Sequence, residues 1–141
     1  MKRITTAVVA IIVATQLSAC MMFKRPPADP KLYEPTQPGS AQLYTVTFTP
    51  AESIKVGKLH SWSVRVVDAK GAPVNDAKIT VDGGMPQHGH GLPTKPIATK
   101  ALGDGKQLVE GMKFNMGGWW VVKVTVASAA GSDVVTFNLK L

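Results

Sequence analysis

Three side chains in one short stretch have the chemistry to hold a soft metal ion. They are Met85, His88 and His90, within Gly83-Gly84-Met85-Pro86-Gln87-His88-Gly89-His90-Gly91-Leu92-Pro93. Imidazole accepts Cu(I), Cu(II), zinc and nickel, whereas a thioether selects the softer Cu(I), so the combination tilts toward copper. A zinc site would more often add a cysteine or a carboxylate. Read as an extended segment, the stretch projects His88 and His90 to the same side, and Gly89 between them leaves the backbone free to bend. It has no branched aliphatic run and no alternation of apolar and polar residues, so a loop between strands is expected. The plainer role for the same residues is structural: ring nitrogens can satisfy turn carbonyls and Met85 can fill a core.

Further ligands are sought among the other methionines. Met112 and Met116 are four apart with Phe114 between them, which on a strand puts all three on one face. Met116 is the better extra ligand, because it adjoins Gly117-Gly118. Parity places Trp119 on the outer face, where an exposed indole would cap the loop, lie over a cation or contact a partner protein, or else simply cover a sheet edge. His60 shares the parity of Trp62 and reads as an edge or core histidine. Catalysis has little to stand on. There is no nucleophile elbow and no carboxylate pair beside the histidines, and Asp82 alone could at most orient one of them, so the chain is read as non-enzymatic.

The elements that must carry this stretch are short and alternating. Tyr44, Val46 and Phe48 alternate with threonines up to Pro50, and Trp62, Val64 and Val66 alternate with Ser61, Ser63 and Arg65. Ile79 and Val81 lead into the histidine stretch. Beyond it, Ile97 to Leu102 and Gln107 to Met116 flank Gly103-Asp104-Gly105-Lys106, a hairpin-turn signal. Trp120, Val122, Val124 and Val126 share one face of a long strand, and Val135, Phe137, Leu139 and Leu141 share one face of the last. About seven such strands, with bulk from Phe48, Trp62, Trp120 and Phe137, predict an all-β fold over residues 42–141. The expected form is an immunoglobulin-like antiparallel β-sandwich of two packed sheets, with no disulfide.

The first twenty residues of the 141 read differently. Met1-Lys2-Arg3 is a positive start, Ala7 to Ala14 is an apolar run too short to span a bilayer, and Leu17-Ser18-Ala19-Cys20 resembles the bacterial lipobox. The resemblance implies a signal peptide over 1–19 and acylation of Cys20 as a membrane anchor, which uses the only cysteine. Met21 in place of an aspartate points to the outer membrane, facing the periplasm, in a cell that has one. Five prolines between Met21 and Ser40 predict that residues 20–41 form an extended tether that builds no ladder. Without Lys2 and Arg3, 14 basic residues remain against nine acidic ones, a net of +5. They are scattered singly, a pattern that argues against nucleic-acid binding.

Taken together, these motifs resemble the YtkA-like or FixH-like group of small exported β-sandwich domains. The likeness lies in Gly-Gly-Met-Pro-Gln-His-Gly-His-Gly-Leu-Pro-Thr-Lys-Pro at 83–96, Leu102-Gly103-Asp104-Gly105, and Gly111-Met112-Lys113-Phe114-Asn115-Met116-Gly117-Gly118-Trp119-Trp120. In similar sequences a Met-Pro-x-His-x-His loop, a glycine hairpin and a Met or Phe strand leading to Gly-x-Trp occur in this order. The resemblance implies an immunoglobulin-like fold and an extracytoplasmic location. Such domains turn up around copper handling and respiratory oxidase assembly, so the implied partners are a copper ion and an envelope or respiratory-complex protein. A metal role carries over onto Met85, His88 and His90. Fuller periplasmic copper chaperones have a denser set of His and Met ligands.

Overall fold

The computed structural model describes residues 34–141; Cys20, the lipobox-like segment and most of the proline-rich stretch lie outside the described residues. Nine strands are present there: β1 (Thr36–Pro38), β2 (Tyr44–Pro50), β3 (Leu59–Asp68), β4 (Lys78–Met85), β5 (His90–Gly91), β6 (Ile97–Gly103), β7 (Lys106–Lys113), β8 (Trp119–Ser128) and β9 (Gly131–Lys140). All pair antiparallel, in the order β1-β2-β3-β7-β6-β4-β8-β9, with β5 added to β4. The join between β6 and β4 is a single pair, Thr80 with Ile97. The barrel-like sheet is therefore two half-sheets meeting at one narrow seam, which is how the expected sandwich is realised.

Alternation explains the halves. On β2 the residues Tyr44, Val46 and Phe48 are buried, as are Trp62, Val64 and Val66 on β3 and Trp120, Val122, Val124 and Val126 on β8. Each contributes about 1.5–3 kcal/mol by leaving water. Phe48 stacks on Trp62 with ring centres 4.4 Å apart and reaches Phe137 of the opposite half at 5.5 Å. The turn between β6 and β7 is the expected one, with Asp104 at φ 53° and Gly105 at φ 70°, the left-handed pair of a two-residue hairpin.

Two strands were not legible in the pattern, because they are too short to alternate. One of them, β1, corrects the reading of residues 20–41 as tether throughout. Thr36 to Pro38 lie along Thr45 to Thr47 of β2, and Pro35 accepts the Phe48 N–H at 2.8 Å. A proline lacks a donor, but its carbonyl still accepts, and an edge strand tolerates it.

The segment after β1 is fastened by Asp133 of β9, which is 2% exposed. Its carboxylate accepts the N–H groups of Ala41 (2.8 Å), Leu43 (3.0 Å), Tyr44 (3.4 Å) and Val134 (2.8 Å), and the Ser40 hydroxyl at 3.3 Å. Burial alone would raise its pKa, but the four backbone donors outweigh it and hold the group below the usual carboxylate range. This closes the barrel from β9 to the β1–β2 turn.

Candidate functional site

The histidine stretch is a hairpin rather than a loop. Met85 pairs with His90 and Gly84 with Gly91, so Gly83 to Met85 end β4 and His90 begins β5. The glycines disguise this in sequence and permit it in space. A Cβ on Gly84 would stand 2.5 Å from the His90 carbonyl oxygen, and one on Gly83 would stand 2.7 Å from that of Val121. Between β8 and β5, positions 83 and 84 of β4 have no room for side chains. Pro86 to Gly89 form the turn, in which the N–H groups of His88 and Gly89 both donate to the Met85 carbonyl at 3.0 Å. Gly89 takes φ 68°, a left-handed turn position, so the histidines converge by folding back rather than by extension.

The rings of His88 and His90 have centres 5.9 Å apart with planes inclined by 27°. Two imidazoles whose nitrogens face one ion at about 2.0–2.1 Å hold their centres about 5–6 Å apart, a separation that this pair shares. His88 is exposed and His90 half-buried. The His90 Nδ1 lies 3.3 Å from the Gly91 carbonyl oxygen, which can only accept; a proton on Nδ1 leaves the Nε2 lone pair for a ligand. Among the described residues no group of three or more His, Cys, Asp or Glu converges.

Below the hairpin stands an aromatic column. The His90 ring meets Trp120 edge-on at 5.8 Å and 65°, Trp120 meets Phe114 at 5.2 Å, and Phe114 meets Trp62 at 6.3 Å. Trp120 is fully buried, and its indole N–H donates to the Met116 carbonyl at 3.1 Å. Residues 116–118 are held from the other side by Leu141, which exchanges two backbone hydrogen bonds with Gly118 at 2.9 and 3.0 Å.

The methionines separate. Met85 is 1% exposed, and its terminal methyl packs under Gly118, where an added Cβ would stand 2.8 Å from it. Met112 and Phe114 are buried together, as a shared strand face requires, but Met116 is 37% exposed. β7 stops at Lys113, so the expected common face ends before Met116.

Of the two readings of Trp119, the structure favours the covering one and corrects the exposed partner contact: it is 8% exposed, and its indole N–H donates to Asn138 on β9 at 2.8 Å. Its parity is outward, yet it lies down over the neighbouring strand and is no exposed contact for a partner. Asp82 does not orient a histidine; its carboxylate accepts the Gly83 N–H at 2.7 Å. His60 is the core histidine expected, with Nε2 within 3.1 Å of both the N–H and the carbonyl of Lys55. Beside the hairpin lies an open depression of about 510 Å³, lined by Asp82, Met85, Pro86, His90, Val121 and Lys123 among others, with neither His88 nor Met116 on it. Sequence reasoning missed Trp120 as part of the site, having placed it correctly in the core; its Gly-Gly-Trp-Trp setting was the available signal.

A family model described as YtkA-like matches residues 40–125. No curated protein and no solved structure matches the chain significantly.

Proposed function

The chain belongs to the YtkA-like family, and on that premise we propose that it is a lipid-anchored extracytoplasmic binding protein that holds a copper ion at the tip of the β4–β5 hairpin. His88 and His90 supply imidazole nitrogens, and a methionine, from Met85 or Met116, supplies a thioether that favours Cu(I). The observation that carries the reading is the placement of the two histidine rings beside each other, 5.9 Å apart, on a turn built by glycine. The ion is held and passed on rather than used for turnover, and Cys20, once acylated, keeps the protein at the outer membrane, facing the periplasm, where the cell has one.

The test is anaerobic titration of the full chain in detergent with Cu(I), then Cu(II) and Zn(II), beside the His88→Ala/His90→Ala double variant. One equivalent of Cu(I), lost in the variant, supports the reading. Binding no tighter than that of scattered surface histidines removes it.

A second reading, an envelope protein-interaction module without metal, is favoured by β6, whose Ile97 and Leu102 are both exposed. Capture of a respiratory or envelope protein that survives chelation and the histidine substitutions, but not Ile97→Lys, would favour it over the first.

A further inference from the structure

We infer that Trp120 is the positioning residue of the hairpin site, holding His90 through its ring and Met116 through its N–H, so that Met116 rather than Met85 supplies the thioether. The inference rests on the copper reading and names the ligand set that reading leaves open.

Of the three methionines among the described residues, Met85 and Met112 are buried and only Met116 is open to solvent. Met85 lies directly across from His90, and its methyl is packed under Gly118. Using that sulfur as a ligand would cost this packing. Met116 has no such burden. Its backbone is already fixed next to the hairpin, because the same indole that meets the His90 ring at 5.8 Å takes the Met116 carbonyl at 3.1 Å. The buried Trp120 N–H finds its acceptor in the Met116 carbonyl, and this bond ties the β7–β8 connection to the histidine that ends the turn. Leu141 pins Gly118 two residues further on, so the Met116 side chain is left as the movable part of a fixed segment.

The experiment uses the full chain in detergent, with Cu(I) measured by competition against a colorimetric chelator and Zn(II) measured separately. The variants are Trp120→Phe, which keeps a ring and loses the N–H, Met116→Ala, and the two combined. Each single change is expected to weaken Cu(I) binding roughly tenfold, as loss of an outer-shell contact or its ligand does. The double variant is expected to be no weaker than either, and Zn(II), which needs no thioether, is expected to be unchanged in all three. In the metal-free protein the Met116 methyl resonance should move toward that of free methionine in Trp120→Phe. Equal weakening by Trp120→Phe with and without Met116, or loss of Zn(II) and Cu(I) together, would mean a general structural role and overturn the inference. So would Met116→Ala binding Cu(I) as tightly as the unaltered chain. If the unaltered chain takes up neither ion, the copper reading falls and the inference with it, an outcome distinct from binding that ignores the variants.

Discussion

Asp133 and His90 lie toward opposite ends of β8, one across from Val126 and the other beyond the Gly84–Val121 pair, and the two ends use polar side chains in opposite ways. At the Asp133 end a carboxylate is 2% exposed and every donor around it is an N–H or a hydroxyl of the chain itself. Nothing there is left for a ligand. At the hairpin end, His88 is exposed and His90 has one ring nitrogen near a carbonyl and the other uncommitted, while the structural bonds are made by backbone groups of Met85 and by Trp120. A saturated polar group stabilises a fold, and a convergent unsaturated pair is available to bind. Substitutions at the two ends should therefore separate stability from binding.

The largest effect is expected from Asp133→Ala. It removes the acceptor of three backbone donors at residues 41–44 and of the Val134 N–H, and should cost about 3 kcal/mol or more, read as a lower denaturant midpoint with an unchanged slope. A change below about 0.5 kcal/mol would mean that water replaces the carboxylate easily and would break the contrast. Next comes Gly84→Ala, where the new methyl meets the His90 carbonyl. A loss of about 2 kcal/mol is expected, together with weaker metal binding, since the strand pairing that brings the histidines together must shift. Unchanged stability there would show that β5 is not needed to hold the hairpin.

The third is a pH effect. Because the Asp133 pKa is depressed in the folded state, its stabilisation is fully present above the unfolded-state value of about 3.9 and is lost as pH falls through the lower folded value. Acid titration of the unaltered chain should thus show stability falling below about pH 4, and Asp133→Asn, already weaker at neutral pH, should show a shallower fall. Parallel acid profiles would assign the acid sensitivity to other carboxylates. The smallest effect on stability belongs to His88→Ala/His90→Ala, within about 0.5 kcal/mol, with binding abolished. A double variant that unfolds readily would make the histidines part of the scaffold and erase the difference between the ends.

Much of the scaffold was legible because burial in a sandwich repeats every second residue. Trp62, Val64 and Val66, or Trp120 through Val126, declare their inner face without any knowledge of their partners. Asp104-Gly105 declared its turn, because few residue pairs accept two left-handed positions. What escaped was short or pinned by partners far along the chain. β1 has three residues and β5 two, fewer than alternation needs to show itself. Nothing local in the sequence marks Asp133, since its donors at 41–44 lie about ninety residues earlier. Trp119 obeyed its parity and was nevertheless covered, because an indole can lie flat across a neighbouring strand to reach Asn138.

By itself, then, the order of residues determined an all-β antiparallel domain, its main strands, its aromatic core and a His-x-His segment with methionines nearby, all of which follow from local periodicity and side-chain chemistry. Only the tertiary structure decided that Gly83 and Gly84 belong to a strand squeezed between two others, that Met85 faces the core while Met116 faces solvent, and that Trp120 joins the histidine turn to the β7–β8 connection. Those facts depend on which strands become neighbours, and neighbour choice is set by the packing of the whole barrel rather than by any one segment.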